Sequence, residues 1–84
     1  MKLAFDDRGW DDYTYWRSAD RAIAKRIDKL ITAALRDPAS GEGKPEKLKH
    51  SLSGAFSRRI DREHRLIYVI DGDYLVVVQA RHHY

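Results

Sequence analysis

A chain of 84 residues has room for one modest core and none for a large enclosed pocket, so a substrate is expected to lie on its surface. It contains no cysteine, which excludes disulfides, thiolate nucleophiles and sulfur-bound metals, and no apolar run approaches the roughly 18 residues of a membrane span. The net charge of +3 is unevenly placed: residues 1–43 hold eight basic and eight acidic side chains, whereas residues 44–65 hold seven basic against three acidic. A polyanion fits such a tract, because Lys and Arg release the counterions that surround phosphates. The opening Met1-Lys2-Leu3-Ala4-Phe5 is too short and too soon acidic for a signal peptide, giving the expectation of a cytoplasmic protein with no membrane partner.

In chain order, Lys2 to Phe5 reads as a short strand. Asp6 or Asp7 then caps a helix that carries Trp10, Tyr13 and Trp16 at helical spacing. A second helix, starting at Ser18 or Asp20, bears Ile23, Ile27, Leu30, Ile31 and Ala34 as one apolar stripe and ends at Asp37-Pro38. With almost no linker between them, the two helices form an αα-hairpin whose outer side is charged through Arg21, Lys25, Arg26, Asp28 and Lys29. Residues 38–45 have the Pro, Ser and Gly content of a loop, which delivers Glu46, Lys49 and His50 to the edge of the next element. Three strands are expected next, over Ala55 to Asp61, Arg65 to Asp71 and Tyr74 to Arg81, the last two joined by the Asp71-Gly72-Asp73 turn. The order βααβββ predicts one α+β domain over residues 1–84, an antiparallel sheet with the helix pair on one face and the other face free.

Period-two alternation puts Ser57, Arg59 and Asp61 on one face of their strand and Phe56, Arg58 and Ile60 on the other, with Phe56 and Ile60 toward the core. Arg59 and Arg65 converge if the register allows it, and Gln79, Arg81 and His83 share a face if the last strand runs that far. Cleaving RNA without a metal needs a base for the 2′-hydroxyl proton, an acid for the departing 5′-oxygen and cations around the phosphorane. Glu46 supplies a base, His83 an acid, and Lys49, Arg59 and Arg65 the cations, while Tyr84 offers a ring for an unstacked base. The same residues also suit plain RNA binding or structural charge. The acidic residues Asp6, Asp7, Asp11 and Asp12 gather at a helix N-terminus, where capping explains them better than a metal does. His64 reads as structural, and His50 stays open between a turn residue and a phosphate contact.

The runs Gly43-Lys44-Pro45-Glu46-Lys47-Leu48-Lys49-His50, Leu52-Ser53-Gly54, Ser57-Arg58-Arg59-Ile60, Glu63-His64-Arg65-Leu66 and Arg81-His82-His83-Tyr84 stand in one order, with Trp10-Asp11-Asp12-Tyr13 and Tyr15-Trp16 before them. Together they closely resemble the YoeB toxins of YefM–YoeB modules, in the RelE superfamily. The resemblance implies a RelE-like fold and a bacterial type II toxin that cleaves mRNA in the ribosomal A site with neither metal nor other cofactor. It implies Glu46 as general base, His83 as general acid, Lys49, Arg59 and Arg65 as phosphate and transition-state cations, Glu63 as a support that orients an arginine, and Tyr84 as aligning the scissile nucleotide. It further implies a homodimer, a YefM-like antitoxin and operator DNA bound only through the antitoxin complex. Ala55-Phe56 and His82 depart from the family's usual aromatic residues without touching a proposed catalytic group. The rival expectations are a ribosome-occluding RNA-binding module that cuts nothing and a ParE-like poison of gyrase.

Overall fold

The computed structural model describes residues 1–49 and 54–82. Strand β1 (Lys2–Phe5) leads into helix α1 (Asp7–Ala19) and helix α2 (Arg21–Arg36), followed by β2 (Glu46–Lys47), β3 (Phe56–Arg59), β4 (Arg65–Asp71) and β5 (Tyr74–Gln79). Local chemistry sets the helix boundaries. The Asp6 carboxylate accepts from the Gly9 N–H at 2.8 Å and starts α1, and the Asp20 carboxylate accepts from Ala22 and Ile23 at 3.0 and 3.2 Å and starts α2. Asp20 also closes α1 by donating its own N–H to the Trp16 carbonyl, so one residue is the whole linker of the hairpin.

The five strands form one sheet in the order β1-β5-β4-β3-β2. Two expectations change here. The sheet is mixed rather than antiparallel, because β1 runs parallel to β5 with Leu3 beside Leu75 and Phe5 beside Val77. A fourth strand follows the helices as well: the expected loop-to-edge segment itself pairs with β3, with Glu46 opposite Ser57 and Lys47 opposite Phe56. The remaining pairs are antiparallel, with Arg59 opposite Arg65, Asp71 opposite Tyr74, and an irregularity at Ile67/Tyr68 that leaves Val78 without a partner in the ladder.

The α2 stripe of Ile27, Leu30, Ile31 and Ala34 packs with Trp16 against Ile60, Leu66, Tyr68, Leu75 and Val77 on one sheet face. Gly9 permits this closeness, since a Cβ there would lie 2.0 Å from the Val77 carbonyl oxygen. Among the described residues the opposite face bears no helix, and it carries a smaller cluster of Leu48, Ala55 and Ile67 with Val69 and Val78 beside it. Trp10 packs edge-on against Phe5, ring centroids 5.4 Å apart, while staying 48% exposed. Among the described residues no helix is long and apolar enough to cross a membrane.

Candidate active site

The face away from the helices gathers the polar groups. Glu46 on β2 lies opposite Ser57 on β3, and Arg59 on β3 lies opposite Arg65 on β4, which puts these four side chains on adjacent strands of one face. Arg65 Nη1 donates to Glu46 Oε1 at 3.4 Å and to Ser57 Oγ at 3.3 Å. The Arg65 side chain is recessed, 19% exposed, whereas Glu46 is 61% exposed, so the carboxylate is open to an approaching hydroxyl while the guanidinium is held beneath it. Arg59 is exposed, and its guanidinium has no partner among the described residues. Lys49 is exposed as well, beyond Leu48, whose N–H donates to the Ala55 carbonyl at 2.8 Å and thereby ties this edge to the start of β3. Alternation along β3 thus places Ser57 and Arg59 together as expected, and the register brings Arg59 and Arg65 side by side.

Arg58, counted in the sequence as part of the basic tract, is fully buried on the helix side and contributes nothing to the open surface. Its guanidinium donates to the Tyr68 hydroxyl at 2.8 Å, to the carbonyls of Glu42 and Asp37 at 2.7 Å each, and to that of Ser40 at 2.8 Å. The Tyr68 hydroxyl passes its own proton to the Pro38 carbonyl at 2.6 Å. Burial raises the Tyr68 pKa, with the Arg58 hydrogen bond and charge opposing that rise. Arg58 therefore pins the 37–42 loop that precedes Glu46. The Asp37 carboxylate accepts from the Ala39 N–H and the Ser40 hydroxyl, and these bonds, aided by Arg58, lower its pKa. Gly43 closes the loop against β3, its carbonyl accepting the Arg59 N–H at 2.7 Å.

Strand β5 stops at Gln79, so Arg81 does not continue a face with it. Arg81 instead stacks over the Tyr15 ring of α1, 3.7 Å from its centroid. The chain is carried across by Ala80, whose N–H donates to Asp12 Oδ2 at 3.0 Å and whose carbonyl accepts from Trp16 Nε1 at 2.8 Å. It returns to the site at His82, whose carbonyl accepts the backbone N–H of Arg65 at 3.1 Å. His50, His83 and Tyr84 lie outside the described residues. The backbone that leads to His83 is nonetheless fixed to Arg65. Among the described residues the Glu63 carboxylate, expected to orient an arginine, has His64 as its neighbour, at 3.8 Å from carboxylate to Nε2.

Glu63, His64 and His82 offer ligand atoms within 4.8 Å of one another, which invites a metal reading. His64 argues against it. Its Nδ1 accepts the His82 N–H at 2.7 Å, and a backbone amide can only donate, so the imidazole proton sits on Nε2 facing Glu63. Neither nitrogen is left with a free lone pair for a cation. Of the acidic residues near the start of α1, Asp6 is committed to capping and Asp12 to Ala80 and Arg8.

A family model for the YoeB-like toxin of bacterial type II toxin–antitoxin systems matches residues 5–84. The chain belongs to that family. Toxin YoeB of Streptomyces coelicolor is 54% identical over 84 residues, all of both chains, and Toxin YoeB of Escherichia coli is 50% identical over the same span. Among solved structures, the YoeB/ParE toxin from Agrobacterium tumefaciens superposes with a TM-score of 0.96 at 44% identity over the whole of both chains. The YoeB dimer from Staphylococcus aureus gives 0.90 at 38% identity, covering 100% of this chain and 98% of that one, and the YoeB–YefM complex from the same organism gives 0.90 at 36% with the same coverage. Against that YoeB-like frame, Ser57, Gln79 and His64 are the polar residues around the site that the sequence did not single out for it. Ser57 was legible, since alternation already placed it beside Arg59. Gln79 holds the carbonyls of Arg81 and His82 at 3.2 and 3.4 Å, a role set by the break in β5 that no local pattern announces.

Proposed function

We propose that this YoeB-like toxin is a cytoplasmic, ribosome-dependent endoribonuclease that cuts mRNA in the A site by attack of a 2′-hydroxyl. The observation that carries this reading is the Glu46–Arg65–Ser57 cluster on the open sheet face, with Arg59 directly across the ladder and the chain before His83 bonded to the Arg65 backbone. Glu46 takes the 2′-hydroxyl proton. The 2′-oxygen attacks the adjacent phosphorus, and His83 protonates the 5′-oxygen as the bond to phosphorus breaks. A 2′,3′-cyclic phosphate and a 5′-hydroxyl result, with each proton accounted for by a named residue. Arg65, aided by Arg59 and Lys49, meets the charge that develops on the phosphorane, and Tyr84 stacks on the nucleotide being cut. No step in this scheme calls for a cofactor. An open surface of this kind leaves substrate alignment to the ribosome, whose A site holds the mRNA in a fixed path.

The dimer and the YefM complex formed by the Staphylococcus aureus relative support a homodimer and a YefM-like antitoxin as this chain's own partners, with operator DNA contacted through the antitoxin. The test is cleavage of a defined mRNA by purified protein with and without programmed ribosomes, mapping cut sites and end groups. Glu46→Ala and His83→Ala are each expected to slow cleavage by roughly 10²–10⁴ while leaving ribosome binding near wild type. Equal losses of binding and cleavage would refute the assigned roles. Ribosome binding without cuts would identify an occluding module, and absence of ribosome binding would redirect attention to protein targets such as gyrase.

A further inference from the structure

His64 has a structural setting that ends at His82, the residue before the proposed general acid in sequence. It sits in the turn between β3 and β4, the strands that carry Arg59 and Arg65. Its backbone is held on both sides: the N–H donates to Asp61 Oδ1 at 2.7 Å, and the carbonyl accepts from Ile60 at 3.0 Å and Asp61 at 3.3 Å. The ring is buried edge-on against Trp16, centroids 4.7 Å apart, which fixes its plane. From that fixed ring Nδ1 accepts the His82 N–H at 2.7 Å. His82 in turn adopts φ 65°, the left-handed region that a residue with a Cβ occupies only at a cost, so its conformation has to be held by its bonds. Its N–H is held by His64, and its carbonyl by Arg65 and Gln79.

We infer that His64 is a positioning residue for the proposed cleavage, its Nδ1 fixing the His82 amide and so the backbone from which the chain continues to the proposed general acid. The inference rests on the proposed cleavage reaction and adds a residue that touches neither substrate nor phosphate. Position matters steeply in such reactions: a displacement of about 1 Å can cost 10²-fold in rate.

Two substitutions of similar shape isolate the hydrogen bond. His64→Asn places an amide oxygen where Nδ1 stood, and His64→Leu places a methyl there. With programmed ribosomes, His64→Leu is expected to slow single-turnover cleavage roughly 10–100-fold. Its ribosome binding should stay within about threefold, and His64→Asn should recover most of the rate. Amide exchange at His82 gives a second readout that survives a poorly folded Leu variant: the amide is expected to be protected in the wild type and in His64→Asn. A His64→Leu protein that cuts at the wild-type rate, Asn and Leu variants that are equally slow, or an unprotected His82 amide in the wild type would overturn the inference while leaving the reaction intact. A His83→Ala protein that cuts at full rate, or a wild type that binds programmed ribosomes without cutting, would overturn the proposed function and the inference with it.

Discussion

Arg58 and Arg59 are neighbours in sequence with opposite predicted phenotypes, and the pair tests the assignment of the two sheet faces. In Arg58→Met the loss is internal. Four hydrogen bonds from a buried guanidinium disappear, each of a kind that contributes about 1.5–3 kcal/mol when charge-assisted. They do not sum, because removing the cation also relieves its desolvation, and the exposed residues Asp37, Ser40 and Glu42 let their freed carbonyls rehydrate. Tyr68 keeps its bond to Pro38, and a methionine side chain retains much of the packing volume. A net destabilisation of about 2–4 kcal/mol remains, a large share of the roughly 4–13 kcal/mol expected for a chain of this length. Arg59→Met removes an exposed cation that has no partner among the described residues and should change stability by no more than about 0.5 kcal/mol. Urea denaturation reads the first quantity. The second readout is the salt dependence of binding to single-stranded RNA, where each lost phosphate contact lowers the slope of log K against log salt by about 0.7. Arg59→Met should flatten that slope by one contact, and Arg58→Met should leave it unchanged at temperatures where it is folded. The reverse pattern, a stable Arg58→Met with a flattened slope, would refute the placement of Arg58 in the core.

Gly9→Ala should destabilise by about 3 kcal/mol, the upper part of the range for overpacking, because the added Cβ meets the Val77 backbone rather than a side chain that can turn away; a thermal or urea midpoint close to wild type would show that α1 does not sit so near β5. Acidification tests the 37–42 loop. The folded-state pKa of Asp37 is lowered, chiefly by the Ala39 N–H, from its ordinary 3.8, so its contribution is present above that value and is lost as the pH falls through the folded-state value. Asp37→Asn should therefore be less stable than wild type near pH 7, and the difference should close as the pH drops below about 4; a gap that persists in acid would assign the effect to shape rather than charge.

The elements legible in the sequence are those whose determinants are local. The α2 stripe, the caps at Asp6 and Asp20 and the Asp71-Gly72-Asp73 turn each follow from a few adjacent residues, and each is where the pattern put it. The pairing of β1 with β5 joins residues more than 70 positions apart, and nothing in Lys2–Phe5 announces a parallel neighbour. Glu46–Lys47 is too short for a two-residue period to be seen. Arg58 reads two ways: alternation puts it on the face of Phe56 and Ile60, but residue type counts it with the basic surface, and the carbonyls that satisfy it come from a loop folded back from residues 37–42. The candidate site divides along the same line. Glu46, Ser57, Arg59 and Arg65 share a face because alternation and two ladder registers put them there.

The tail obeys no period at all. After Gln79 its path is dictated by groups of other elements: Asp12 and Trp16 hold Ala80, Tyr15 takes Arg81, and the His64 ring with the Arg65 backbone N–H holds His82. These holds divide the proposed chemistry between two kinds of support. The base and the two arginines stand on a sheet whose backbone bonds fix them, whereas the acid follows, in sequence, a short segment anchored by a handful of individual bonds. Losing one sheet cation removes charge from the phosphorane, but losing one tail anchor leaves that charge in place. Substitutions at Asp12 and His64 should therefore share a signature that those at Arg59 and Lys49 do not: slower cleavage at undiminished ribosome affinity and unchanged salt dependence.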